Sequence, residues 1–503
     1  MSVLKRNIVA NMLGGAWITI LTVVITPLQI NLLGMAAFGV IGFITTLQIA
    51  FTAFDMGLSS ALTRELAADP SPNKRGSLEL LRSARTIYWA AALVIGLALT
   101  AAAEPIAARW FTSSQLDPAL LVQSLRVIAL YLALRWPVAL YIGVLTGLQR
   151  LDVLNVVKTV TASTRLAGGV LVLLQWHSLY AFLWWTALCA LIEVVTYGVA
   201  CRRILHELPL RPGLSWPALR RVWRFSVSMN ALAILAVLIV QLDRLVISKL
   251  LPLESLGSYS LAYSAAAGVS VIIGAFSSAI LPSFASVHGR GTQADLRARY
   301  VNACRVTLFV AGLAVWTFVF FGDPILTLWV NPSAADGAAL SLALLAFGFW
   351  WSAAVSNGYN MAVAAGRPNL ALRVTVLTAA PYALAVYLLV HWLGIHGAAL
   401  AWLLLNVGYA ALLLPVVHRE ILGLPIGPWL LRTLLPFLAL PLVSFAPARW
   451  AALGIGPGQP AQLLGLAVGL VLYIAVGYAL LGAELRASVK TTLLRMRRAA
   501  RRS

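Results

Sequence analysis

Apolar residues run along this chain in long stretches that alternate with short polar segments. Each stretch is about 18 or more residues long, which is enough for a helix to cross a hydrocarbon core of about 30 Å. Strict alternation of apolar and polar residues is absent, which argues against a β-barrel. The pattern predicts an all-α polytopic membrane protein with about fourteen spans, at 8–33, 37–58, 86–103, 120–145, 160–176, 179–200, 225–249, 258–284, 306–330, 339–365, 370–392, 395–417, 433–450 and 461–482.

The chain also contains an internal repeat at a constant spacing of 218 positions (249 minus 31). Residues 31–43 read NLLGMAAFGVIGF, and residues 249–261 read KLLPLESLGSYSL with the same apolar and small-residue pattern. Ser59-Ser60-Ala61-Leu62 recurs as Ser277-Ser278-Ala279-Ile280 at that spacing. A repeat of this length in a membrane chain predicts two parallel six-helix lobes that move around a central site.

The repeat sets the predicted organisation of the chain. The first lobe is expected at 1–200, a basic linker at 201–224, the second lobe at 225–417, two unpaired spans within 418–482, and a basic tail at 483–503.

Composition supports a membrane protein and explains the large net charge. The 503 residues are 61% hydrophobic and 11% charged, whereas about 25% charged residues are usual in soluble domains. The net charge of +21 comes from Lys and Arg concentrated in alternate loops. This positive-inside pattern predicts cytoplasmic termini and a multi-pass protein in contact with membrane lipids, and it argues against nucleic-acid binding.

Residues that would hold a cofactor are sparse. Cys189, Cys201 and Cys304 are isolated, the six His residues are scattered, and no phosphate-binding GxxxxGK[ST] loop occurs. We therefore expect no metal site, no cofactor and no ATP-driven step.

Two segments carry a family resemblance. Phe54-Asp55-Met56-Gly57-Leu58-Ser59, followed by Arg64-Glu65, and the segment from Gln241 to Lys249 resemble Wzx-type O-antigen and exopolysaccharide flippases. These flippases belong to the multidrug/oligosaccharidyl-lipid/polysaccharide (MOP) superfamily. The resemblance implies a transporter in the bacterial inner membrane that moves an undecaprenyl-diphosphate-linked oligosaccharide from the cytoplasmic to the periplasmic leaflet by alternating access. It also implies a polysaccharide polymerase and glycosyltransferases as partners, and coupling to an H⁺ or Na⁺ gradient.

Three alternatives stay open at this point. A multidrug antiporter or a lipid II flippase of the same superfamily would share the fold. A membrane-embedded glycosyltransferase or ligase would need large outer loops or paired acids, and the loops of the less basic set here are short.

Charged residues within the spans are the first candidates for substrate contact, because an ionised side chain near mid-bilayer costs about 2.5–3.5 kcal/mol on insertion scales. Arg135, before Trp136 and Pro137, contacts the substrate diphosphate or pairs with an acid such as Glu193. Pro137 is expected to kink its helix. Arg126 and Arg165 are further cationic candidates, and each is predicted close enough to a span end to snorkel to the interface.

The remaining candidates are polar or acidic. Gln241, Arg244 and Asn230 lie on a polar stripe that is expected to face the cavity. Asn357 and Asn360 hydrogen-bond sugar hydroxyls or join helices. The candidate ion-coupling acids are Asp55, Glu193 and Asp243. For Asp55 the alternative is a local partnership with Arg64, and for Asp243 it is a bond to another helix.

Overall fold

Helices account for the secondary structure in this computed structural model, and no strand occurs in the described part of the chain. The structure describes residues 3–53, 55, 57–68, 75–111, 116–205, 212–456, 458–482 and 485–487. The helices are α1 Val3–Leu33, α2 Met35–Ala53, α3 Leu58–Ala68, α4 Arg75–Ala101, α5 Ala103–Arg109, α6 Pro118–Arg135, α7 Val138–Gly147, α8 Leu151–Trp176, α9 Leu179–Leu205, α10 Trp216–Leu250, α11 Leu253–Arg290, α12 Gln293–Trp329, α13 Pro332–Ala364, α14 Asn369–Val417, α15 Ile426–Trp429, α16 Leu435–Val443, α17 Phe445–Ile455 and α18 Gln459–Leu480. Short π-helical turns at His418–Leu422 and Leu430–Leu434 flank α15. The predicted all-α polytopic class is confirmed.

Eleven of the described helical stretches are long and apolar enough to cross a membrane. One of them, Asn369–Leu422, contains two of the predicted spans and is interrupted at Gly394, whose φ of 59° and ψ of −138° are not helical. This break falls between the predicted spans 370–392 and 395–417. The total of about fourteen spans stays a prediction.

The sequence expectation about helix shape is met. The helix carrying Arg135 is interrupted as predicted at Pro137, because α6 ends at Arg135 and α7 begins at Val138. The proline-rich segment before α18 is bent, with α16 and α17 meeting at Ser444.

The start of α8 corrects a sequence expectation. The span was predicted from residue 160, but the helix begins at Leu151. Asp152 and Lys158 lower the local hydropathy without breaking the helix. Arg165 therefore lies 14 residues, or about 21 Å along the helix axis, from the first residue of α8, and 11 residues from the last. The prediction that Arg165 lies close to a span end is wrong.

The chain forms two compact units, Met1–Ser260 and Leu261–Ser503. In the first unit, α3, α4, α7, α9 and the start of α10 share a core that includes Leu62, Tyr88, Val144 and Tyr197. Close packing of α3 and α7 depends on Gly143 and Gly147, because a Cβ at either position would meet backbone atoms of α3 within 3.0 Å.

The second unit is built around aromatic side chains of α12, α13, α14, α17 and α18. Trp316 and Trp350 join α12 to α13 with ring centroids 5.7 Å apart, and Phe309 stacks on Tyr473 of α18 at 5.5 Å. Tyr300 and His418 are in edge contact at 5.4 Å. The unpaired final helices thus pack against the second unit's core through α12.

The repeat has a direct structural expression inside the first unit. A Cβ on Gly39 would lie 2.0 Å from the carbonyl oxygen of Leu253, and a Cβ on Gly257 would lie 2.3 Å from the carbonyl oxygen of Met35. Residues 35 and 253, and residues 39 and 257, are equivalent at the spacing of 218. The starts of α2 and α11 therefore contact each other reciprocally, as two copies of a repeat do around a local two-fold axis.

Candidate functional site

A cavity of about 90 Å³ lies in the first unit where α2, α4, α6 and α7 meet. The interruption at Pro137 shapes one wall, because it brings Arg135 and Trp136 to the same opening as residues of α7. The polar groups that line the cavity are Gln48, Thr52, Asp55, Tyr88 and Arg135, and its aromatic lining includes Phe51 and Trp136. Two predicted site residues, Arg135 and Asp55, are therefore brought together.

Asp55 lies at the bend between α2 and α3. One carboxylate oxygen accepts a hydrogen bond from the Ser59 hydroxyl, and the Asp55 carbonyl accepts one from Tyr88 Oη at 3.2 Å. The other carboxylate oxygen, Oδ1, is buried and has no hydrogen-bond partner in the described residues. A buried acceptor without a donor is costly. This oxygen is therefore the group in the cavity best suited to bind a cation or a proton.

Arg135 is paired with an acid from a distant helix. Its Nη1 donates to Glu193 Oε2 on α9, so the alternative in which these two residues pair is confirmed. The Arg135 side chain is 24% exposed and that of Glu193 is 11% exposed. Glu193 does not line the cavity, whereas Arg135 does. The acid thus lies behind the guanidinium and leaves part of it facing the cavity.

A second polar contact supports the same wall. Tyr131, one turn before Arg135 on α6, donates from its hydroxyl to Gln48 Oε1 of α2 at 2.5 Å. This bond ties the helix that carries Arg135 to the helix that leads into Asp55. The orientation of both cavity charges therefore depends on packing between α2, α6 and α9.

The other two candidate arginines lie away from the cavity lining. Arg126 pairs with Glu104 at 2.6 Å, and both side chains are largely exposed, at 47% and 70%. Arg165 lies on α8, where its carbonyl accepts a hydrogen bond from Trp185 Nε1 at 3.1 Å. Arg165 forms no ion pair within the described residues.

The predicted stripe on α10 forms a buried network instead of part of this cavity lining. Arg244 Nη1 donates to Gln241 Oε1 at 2.8 Å. Asp243 accepts from Tyr259 Oη of α11 at 2.5 Å, so the alternative in which Asp243 bonds another helix is observed. All three α10 side chains are buried. The Asn230 side chain lies outside the described residues.

Asn357 and Asn360 lie in the second unit on α13 and are buried, at 1% and 4% exposure. The amide nitrogen of each lacks a hydrogen-bond partner within the described ranges. A role for either in binding sugar stays a prediction.

Sequence reasoning missed Tyr88, Tyr131 and Tyr259, whose hydroxyls organise the buried acceptors. Tyrosine buried within an apolar helix usually finds a hydrogen-bond partner, so these residues could have been selected as polar groups. Their partners could not, because each bond reaches a residue outside the tyrosine's own helix, 33, 83 and 16 positions away.

Comparison with known proteins assigns the chain to a family. The polysaccharide biosynthesis protein family matches residues 31–330, which is more than half of the chain. The chain therefore belongs to that family, as the sequence resemblance predicted.

Individual relatives agree with this assignment. A Shigella flexneri protein named "Putative O-antigen transporter" is 20% identical over 408 residues, which cover 80% of this chain and 94% of that protein. The lipid II flippase MurJ in an inward closed conformation superposes with a TM-score of 0.69 at 13% identity, covering 93% of this chain and 97% of MurJ. An inward-facing multidrug resistance MATE transporter of the MOP superfamily superposes with a TM-score of 0.66 at 12% identity, covering 82% and 96% of the two chains. At these identities the superpositions show a shared fold. The chain is a multi-pass membrane protein with the fold of MOP-superfamily transporters.

Proposed function

We propose that this protein is a flippase that moves a lipid-linked oligosaccharide, carried on undecaprenyl diphosphate, from the cytoplasmic to the periplasmic leaflet. The observation that carries the proposal is an arginine held open to a cavity inside a membrane helix bundle, in a chain of the polysaccharide biosynthesis family. Alternating access of the two halves is the proposed route, and surface polysaccharide synthesis is the proposed purpose.

Arg135 is the proposed diphosphate contact. A guanidinium stays charged at every relevant pH, and its donors form a planar fork that matches phosphate oxygens. Glu193 satisfies part of the guanidinium. Without this partner, an unpaired charge in the bundle would be expensive. The pair therefore keeps the cation in place until an anionic head group arrives.

The size of the cavity limits what it encloses. At about 90 Å³ it is far smaller than the roughly 300–1,000 Å³ of a site that encloses a drug-sized ligand. It has room for a phosphate group but not for an oligosaccharide. We therefore assign it the phosphate nearest the sugar, with Phe51 and Trp136 offering apolar ring surfaces beside it.

Asp55 is the proposed carrier of the coupling ion. Its Oδ1 has no partner in the described residues, whereas Glu193 is neutralised by Arg135 and Asp243 is bonded by Tyr259. A proton or Na⁺ at Asp55 would offset a carboxylate that otherwise repels an incoming diphosphate. Ion binding and substrate binding would then be coupled through the charge of this carboxylate.

The test is a flipping assay in reconstituted vesicles. A fluorescent undecaprenyl-diphosphate oligosaccharide is incorporated, and dithionite reports the fraction in the outer leaflet over time. The variant is Arg135→Gln combined with Glu193→Gln, which removes both charges and so avoids an unpaired buried carboxylate. A charge-assisted hydrogen bond contributes about 1.5–3 kcal/mol, so we expect a rate loss of about tenfold or more.

The matched control is Arg126→Gln, which removes an arginine from an exposed pair outside the cavity lining. Wild-type rates in the double variant, with amounts matched to the control, would refute the role of Arg135.

Two further measurements test the related functions. Lipid II replaces the oligosaccharide lipid in the flipping assay, and accumulation of a cationic dye measures drug transport. Dye transport without oligosaccharide flipping would favour a multidrug antiporter.

A further inference from the structure

A groove of about 180 Å³ lies between α8 and α9 of the first unit, apart from the cavity at Arg135. Both helices are long and apolar enough to span the membrane. Val156, Val160 and Ile192 line the groove and are each more than 40% exposed, so the groove opens toward the surface of the unit. A bilayer chain could therefore enter it from the side.

The groove has an unusual lining, because seven of its eight residues are β-branched. The exception is Cys189. Thr161 Oγ1 donates to the Val157 carbonyl at 2.8 Å, and Thr196 Oγ1 donates to the Ile192 carbonyl at 2.7 Å. With their hydroxyls satisfied by their own helices, these threonines can present methyl groups to the groove. β-branched side chains are stiff at χ1, so the surface is apolar and preorganised.

One end of the groove lies beside charged residues. Arg165 follows the lining residue Thr164 on α8. Glu193 follows Cys189 by one turn of α9 and bonds Arg135, which lines the cavity. The apolar groove is thus adjacent to Arg165 on α8. It is linked to Arg135 through one turn of α9 and Glu193.

We propose that this groove binds the isoprenoid chain of the lipid carrier while Arg135 and Arg165 hold its anionic head. The assignment rests on the proposed flippase function. Charge complementarity selects a lipid with a phosphate at one end of its apolar chain. A rigid, methyl-lined wall favours a chain that is itself methyl-branched, because such a chain fills the groove with little loss of rotamer freedom.

Photolabelling tests the groove directly. The protein is reconstituted in vesicles of phosphatidylethanolamine and phosphatidylglycerol with an undecaprenyl phosphate that carries a diazirine on its chain. After irradiation, labelled peptides are mapped by mass spectrometry. We expect labelling of the segments 156–164 and 189–196, and loss of that labelling when unlabelled undecaprenyl phosphate is added but not when extra phosphatidylglycerol is added.

Two variants fill the groove, Val160→Trp and Thr164→Trp, and each changes an exposed residue that lines it. The control is Leu171→Trp, an exposed position on the same helix outside the groove. Each tryptophan should displace about two CH₂ groups of the isoprenoid chain from the groove, so we expect labelling to fall by about tenfold. The control should label like the wild type, and melting temperatures verify that all three variants fold.

Equal labelling of the filled and control variants would overturn the proposal, as would equal competition by phosphatidylglycerol. Flipping of the oligosaccharide lipid is measured in the same vesicles. Groove-specific labelling by a protein that does not flip would defeat the proposed function and leave the groove standing. Normal flipping with labelling spread over all lipid-facing helices would defeat the groove alone.

Discussion

The reciprocal contact between Gly39 and Gly257 predicts an unusual pair of mutational effects. Gly39→Ala would place a Cβ 2.0 Å from the Leu253 carbonyl oxygen and 2.9 Å from its carbonyl carbon. These are backbone atoms, so no side chain can rotate away. Restoring a separation of about 3.2 Å requires the starts of α2 and α11 to move apart by about 1.2 Å. Overpacking of this kind costs about 1–3 kcal/mol, and we take about 3 kcal/mol because only backbone movement relieves it.

The second half of the prediction concerns additivity. Gly257→Ala creates the equivalent clash, with its Cβ 2.3 Å from the Met35 carbonyl oxygen. Once one alanine has separated the two helices, the second finds most of its space already made. We therefore expect about 3–4 kcal/mol for the double variant, not the sum of two separate costs. A loss of about 3 kcal/mol lowers Tm by about 6–12 °C for a unit of this size.

The assay uses the buried cysteines. A thiol-reactive fluorogenic dye reports unfolding as Cys189 and Cys201 of the first unit become accessible, and Cys304→Ala removes the signal of the second unit. The control is Gly15→Ala in α1, where a Cβ meets nothing within 4 Å, so Tm should stay the same or rise slightly. Full additivity of the two glycine variants, or a Gly39→Ala Tm equal to that of the control, would refute the reciprocal packing.

Four other predictions follow from specific contacts. Asp55→Asn should reduce gradient-driven flipping by about tenfold while leaving photolabelling of the groove unchanged; retention of full gradient dependence would exclude Asp55 as the ion carrier. Tyr259→Phe removes the hydroxyl that donates to buried Asp243 at 2.5 Å, which should cost about 2 kcal/mol of stability and lower Tm by about 4–8 °C. The control Tyr478→Phe changes an exposed position and should lower Tm far less. Glu104→Gln should change Tm by less than about 2 °C because its pair with Arg126 is exposed, and a larger fall would contradict that account. Thr86→Val removes the hydroxyl that accepts from Gly213 N at 3.0 Å, so hydrogen exchange should accelerate over residues 212–215 and not in α6.

Much of the fold could be predicted from local sequence. Apolar stretches identify membrane helices because each must satisfy its backbone internally and match the bilayer thickness, whatever its neighbours are. The breaks at Pro137 and Gly394 were also predictable, because a helix break at a proline or at a connector between two spans depends on the local sequence. The onset of α8 was not, because a helix continues through the polar residues that lower the hydropathy of 151–159.

The candidate site was predicted in part. Arg135 stood out because a cation deep within a span is costly, and that argument needs no neighbour. Its partner was only one of two alternatives, since Glu193 lies 58 positions later on another helix. The stripe on α10 was expected to face the cavity, yet Gln241 and Arg244 bond each other. Periodicity specifies which residues share a helix face, but not what that face meets.

The sequence by itself determined the helical membrane class, the repeat at 218 and the family, because hydropathy, repetition and motifs are properties of the residues in order. Only the tertiary structure decided that Gly39 contacts the backbone of Leu253 at the start of α11, that Glu193 lies behind Arg135, and that stiff residues of α8 and α9 enclose a groove. The physical reason is that these contacts depend on the distance and rotation between helices, which are set by the packing of every side chain along their interfaces.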